Sequence, residues 1–167
     1  MHHTPLREIP VIRTVAKLTV PFILLFALYV QFHGDFGPGG GFQAGVLFAA
    51  GLILYALIFG PKALERVISP RMVEVGSALG VLVYAGTGVV SLFGGFNFLD
   101  YDVLSPHHVP HGQHYGILLV ELGVGITVMS VMLLIFYAFV SREDLRGQAL
   151  ESSRAAPTDG ETPRGAE

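Results

Sequence analysis

Cysteine is absent from the 167-residue chain, which removes disulfides, iron–sulfur clusters and thiolate metal sites from its chemistry. Charge is scarce as well. Asp, Glu, Lys and Arg make up 14% of the residues, well below the roughly 25% of a soluble domain. A glycine-rich stretch is present, but no Lys-Ser or Lys-Thr pair closes it, so it is not a phosphate-binding loop. No nucleophile–base pairing can be placed, and an enzyme is not expected. The first apolar run carries no small-residue cleavage site and leads straight into that glycine-rich stretch. No cleavable signal peptide is therefore expected.

What fills the chain is apolar: 51% hydrophobic residues and a mean hydropathy of +0.58. Four apolar runs, at about 14–32, 42–60, 72–93 and 115–140, approach or exceed the ~20 residues needed to cross hydrocarbon. The expected fold class is an all-α integral membrane protein with four transmembrane helices. Residues 1–141 form the membrane domain, and 142–167, polar and rich in Gly, Pro, Ser and Glu, read as a disordered tail. The ten Lys and Arg residues fall in three places: Arg7, Arg13 and Lys17; Lys62, Arg66 and Arg71; and Arg142, Arg146, Arg154 and Arg164. The other two connections have none. Cations gather on the cytoplasmic side of a membrane protein, so both termini are expected there and the 33–41 and 94–114 connections outside. The net charge of −3 is confined to loops and tail, and no nucleic-acid partner is expected.

Between the first two runs lies His33-Gly34-Asp35-Phe36-Gly37-Pro38-Gly39-Gly40-Gly41. Glycine permits positive φ and close backbone approach, and Pro38 stops either helix from running through. The stretch reads either as a tight connection or as a shaped turn that docks a partner or lines an ion path, with His33 and Asp35 as its titratable groups. Small residues at Gly45, Ala49, Ala56 and Gly60, and at Gly76 and Gly80, give thin helix faces suited to close packing. Ser77, Tyr84 and Ser91 form a stripe in the third run, a helix–helix contact or the wall of a wet path. Glu121 is the one acid well inside an apolar run, where an ionisable group costs a few kcal/mol unless paired, protonated or facing water. His114 falls seven residues earlier on nearly the same helix side, while Gly116, Gly123, Thr127 and Ser130 form the opposite, packing side. The outer connection holds His107, His108, His111 and His114. Prolines break their register, so a solvated loop that titrates near neutral pH is expected rather than a metal site.

Three motifs, in order, resemble the MnhB-domain family, the B-type component of the Mrp (Mnh) multisubunit Na+/H+ antiporter. They are His33-Gly-x-x-x-Pro38-Gly-Gly-Gly-Phe42-Gln43-x-Gly45, then Gly95-Phe-Asn-Phe-Leu-Asp100-Tyr, then Gly116-Ile-Leu-Leu-Val-Glu121-Leu-Gly-Val-Gly-Ile-Thr. The likeness runs from about residue 10 to 140. Asp35 and Phe36 occupy variable positions, so the resemblance lends Asp35 no role. It implies a small, multi-pass component of a bacterial plasma-membrane assembly, related to respiratory complex I, that exchanges cytoplasmic Na+ for external H+. Partners implied are the A-, C-, D-, E-, F- and G-type components of that antiporter and membrane lipid; no cofactor is implied. Two further readings stay open: a purely structural scaffold, and the equivalent component of a hydrogenase-linked ion-pumping complex. The candidate ion-translocation residues are Glu121, His114, His33 and Asp35. The candidate docking or conformational loop comprises Gly34, Pro38, Gly39, Gly40, Gly41, Phe42, Gln43 and Gly45.

Overall fold

A computed structural model describes residues 10–34, 39–95, 97–99 and 109–155. These hold five helices: α1 (Pro10–His33), α2 (Gly41–Phe59), α3 (Pro61–Val67), α4 (Pro70–Phe93) and α5 (Val109–Ala155). Among the described residues there is no strand. α1, α2, α4 and α5 are long and apolar enough to cross a membrane, in line with the four expected spans. The short α3 lies where the sequence shows only a cationic connection.

Local chemistry sets the boundaries. Pro10, Pro61 and Pro70 each stand at the first residue of a helix, where a missing N–H costs nothing. Ser69 caps α4 by accepting a hydrogen bond from the Met72 amide at 3.4 Å, satisfying one otherwise unpaired donor. Gly60, at φ 100°, ends α2 and starts α3 in one step. Pro21 sits inside α1, and at this point the helix runs on without a break.

The spans pack in sequence: α1 on α2, α2 on α5, and α5 on α4, with only a slight contact between α1 and α5. They form an open row rather than a closed bundle. The glycine faces make its close contacts. A methyl group added at Gly76 would lie 2.8 Å from the Ser130 hydroxyl, and one at Gly80 would meet the Thr127 hydroxyl and the Gly123 carbonyl. The small faces of the third and fourth spans therefore serve each other. The Ser77 and Ser91 hydroxyls turn to carbonyls of their own helix, Glu74 at 2.8 Å and Thr87 at 3.1 Å. Those two members of the stripe thus spend their protons on their own backbone.

One end of the row carries the core. Leu64 of α3 and Leu133 of α5 are fully buried there among Leu52, Ala56, Val73 and Tyr137. The Tyr137 hydroxyl donates to the Ile68 carbonyl at 2.8 Å, tying α5 to the turn before α4. Arg13 stands over the Phe59 ring, 5.7 Å from its centroid, so the start of α1 lies at this same end. Lys62, Arg66 and Arg71 join it there. At the other end the α1–α2 turn is recessed. Gly41 packs on the backbone of Glu121, and from that level α5 climbs about 18 Å further, back to Val109, at 1.5 Å per residue. The Tyr84 amide meets Gly123, which leaves about 13 Å of α4 above that level.

The tail needs a correction. α5 does not stop near 141 but continues as helix to Ala155, into the stretch expected to be disordered. Arg142, Glu143, Leu145, Arg146, Gln148, Ala149 and Leu150 are all good helix formers, and nothing in the stretch breaks the preceding span. Residues 156–167 lie outside the described set.

Candidate functional site

The glycine turn and the membrane acid form one site. A methyl group added at Gly34 would lie 2.7 and 2.8 Å from the two carboxyl oxygens of Glu121, and one at Gly40 would lie 3.1 Å from Oε1. The Glu121 carboxyl group therefore rests on bare backbone from both sides of the α1–α2 turn. Gly40 holds φ 127°, a conformation that side-chain-bearing residues rarely adopt, and this angle aims α2 at α5. Gly41, the next residue, closes on Glu121 itself: a methyl group there would overlap the Glu121 carbonyl oxygen and lie 2.7 Å from its carbonyl carbon. Gly39 packs against the Val30 carbonyl in the same turn. Three of the glycines thus have separate tasks: room for the carboxyl group at Gly34, backbone angle at Gly40, and helix approach at Gly41.

The carboxyl group also lies at the N-terminal end of α2, whose cap, Gly40, has no side chain to offer the free amides. That helix end carries a partial positive charge, which complements an acid. Irregular backbone at membrane depth is tolerated only when covered by protein or facing water. The described part of the turn, Gly34 and Gly39 to Gly41, is covered by the side chain and backbone of Glu121, which meets this condition. Chemically, the site holds a group able to bind and release a proton or a cation.

The remaining candidates divide. Gly45 packs one turn further along, 2.6 Å from a methyl position to the Gly125 carbonyl, so its role is to bring α2 and α5 together. Phe42 and Gln43 are exposed on the other side of α2, beside Phe26 and Val30. His33 is not gathered to Glu121: its ring stacks on Tyr29, centroids 5.1 Å apart and 15° from parallel, along the exposed aromatic face of α1. His114 is half-buried beside Tyr115 and stands about 10 Å up α5 from Glu121. A proton passing between the two needs intermediate groups. Asp35 and Pro38 lie outside the described residues, as do Asp100, Asp102, His107 and His108 and the side chain of His111.

One residue absent from the sequence-level candidates belongs beside the site. Gln31, in α1, is 6% exposed, and its Nε2 makes no hydrogen bond among the described residues. Its Oε1 would lie 2.7 Å from a methyl group on Gly125, and the Gly41 carbonyl 3.1 Å from the same point. Gln31 and Gly34 of α1 thus face Gly125 and Glu121 of α5, one polar group and one glycine in each pair. The signal was present: apart from Lys17 near its start, Gln31 is the strongest polar side chain in the first apolar run before His33.

Four helices long and apolar enough to cross a membrane, one of them carrying an acid set on glycine backbone, mark a multi-pass membrane protein. The chain belongs to the family of domains related to the MnhB subunit of Na+/H+ antiporters, whose model matches residues 11–134. It is 33% identical over 132 residues to a Staphylococcus haemolyticus protein named for an antiporter subunit, mnhB2, covering 77% of this chain and 92% of that one. A Staphylococcus aureus protein of the same name is 35% identical over 130 residues, covering 71% and 90%. The matched region holds the whole α1–α2 turn and Glu121.

Proposed function

We propose that this chain is a small subunit of a multisubunit cation/proton antiporter in a bacterial plasma membrane, that it helps assemble the complex, and that Glu121 takes part in ion transfer there. On this reading Na+ leaves the cytoplasm in exchange for H+, and both termini face the cytoplasm. The observation that carries the reading is the seating of the Glu121 carboxyl group against Gly34 and Gly40 of the α1–α2 turn. Two glycines, Gly34 and Gly40, leave that carboxyl group room against backbone on both sides of the turn. The open row of spans supports the need for partners, since α1 and α4 at its flanks each pack mainly on one other span. His114 lies on the outer side of Glu121 and is the candidate for delivering protons to it.

Glu121→Gln tests the reading, because it keeps size and hydrogen bonding but abolishes titration. The variant complex is expected to assemble and yet to exchange poorly in everted vesicles at every pH. Near-normal exchange by a fully assembled Glu121→Gln complex refutes the transfer role. Loss of assembly in Glu121→Gln and Glu121→Asp alike assigns Glu121 to a scaffold.

A further inference from the structure

Among the described residues, two polar groups stand where α1 approaches α5: the Glu121 carboxyl group against Gly34 and the Gln31 amide against Gly125. Beside Gln31 lies a cavity of about 260 Å³, lined mainly by Leu28, Phe32, Phe48, Leu122 and Met129. An unpaired buried donor costs about 1–3 kcal/mol, and hydrocarbon offers no water to relieve it. The Gln31 amide is therefore out of place unless something polar visits it. Its last torsion is soft, so the amide can turn either end toward the cavity. A water there would find the Gln31 amide and, beside the same Gly125 position, the Gly41 carbonyl, two of the two to four partners that a buried water needs, with Glu121 one helical turn further along α5.

We infer that Gln31 is a positioning residue for transfer at Glu121: its amide holds a water on the inner side of the carboxyl group. The water gives a proton or cation leaving Glu121 a polar foothold where α1 approaches α5. Gln31 touches neither partner of the exchange permanently; it acts through that water. The inference rests on the transfer role proposed for Glu121.

The test uses the purified, reconstituted complex carrying Gln31→Leu or Gln31→Ser, with Glu121→Gln measured alongside. Leucine fills the space and offers no polar group, whereas serine keeps a hydroxyl and leaves room for water. Gln31→Leu is expected to assemble and to lower the maximal exchange rate roughly threefold or more, the worth of one hydrogen bond inside a membrane. Apparent cation affinity should change less. Gln31→Ser is expected to restore most of the rate. The infrared band of the protonated Glu121 carboxyl group, identified by its loss in Glu121→Gln, is expected to shift in Gln31→Leu, which a packing role would not cause. Wild-type exchange with an unshifted band in an assembled Gln31→Leu complex overturns the inference and leaves the role of Glu121 standing. Failure of both Gln31 variants to assemble assigns the residue to packing and overturns it as well. Normal exchange in Glu121→Gln removes the reading beneath it.

Discussion

Alanine in place of Gly41 measures how tightly the site is built. The added methyl group would overlap the Glu121 carbonyl oxygen and lie 2.7 Å from its carbonyl carbon and 2.9 Å from its Cα. All three are backbone atoms, so no rotamer change relieves the collision. To reach ordinary contact, α2 and α5 must part, and the carbonyl oxygen, the nearest of the three atoms, sets how far. Overpacking of this kind costs about 1–3 kcal/mol, and a collision between backbones belongs at the upper end. Gly86→Ala is the matched control, because nothing lies within 4 Å of its methyl position. In the interior of α4 that change gains up to about 1 kcal/mol from helix preference. The two substitutions add the same atom and should differ by roughly 2–3 kcal/mol in stability. Thermal challenge of the detergent-solubilised protein, read as the fraction remaining monodisperse on size exclusion, is the assay. Gly41→Ala should melt below wild type and Gly86→Ala at or above it. Equal midpoints for the two variants would refute the claim that α2 and α5 meet backbone to backbone at Glu121.

Other outcomes follow from the same geometry. Gly40→Ala forces a side chain to φ 127°, a strain of about 1–3 kcal/mol, and should lower the melting midpoint; an unchanged midpoint would show that the turn relaxes freely. Gly34→Ala meets the two carboxyl oxygens and, at 2.8 Å, the Gly40 Cα, so it should displace the Glu121 side chain, strain the turn and reduce exchange in vesicles. Retention of full exchange would mean that the carboxyl position is unimportant. For topology, the cysteine-free background makes single substitutions clean: Asn97→Cys should react with an impermeant thiol reagent on intact cells and Ser153→Cys should not. Labelling of Ser153→Cys alone would invert the orientation.

Much of this protein is determined by its sequence alone. Hydropathy and length place α1, α2 and α4 to within a few residues and the apolar part of α5, because crossing hydrocarbon demands about 20 apolar residues whatever they touch. The glycine turn, the intramembrane acid and the family are legible for the same reason: each is a local departure from an apolar background. Only the tertiary structure decides which spans are neighbours. In a membrane the apolar residues surround each helix, so no periodic stripe marks the buried side, and an open row reads the same as a closed bundle. The meeting of Gly34, Gly40 and Gly41 with Glu121 joins points that are far apart in the chain, and no local pattern encodes it. The same holds for Gln31, an unremarkable polar residue near a span end until Gly125 is placed against it. The helix over 142–155 shows the converse: local propensity favoured it, and polar composition concealed it. Composition reports where the chain can lie in the bilayer. Packing of backbone on backbone, possible where a glycine such as Gly41 meets the Glu121 main chain, decides what the acid touches.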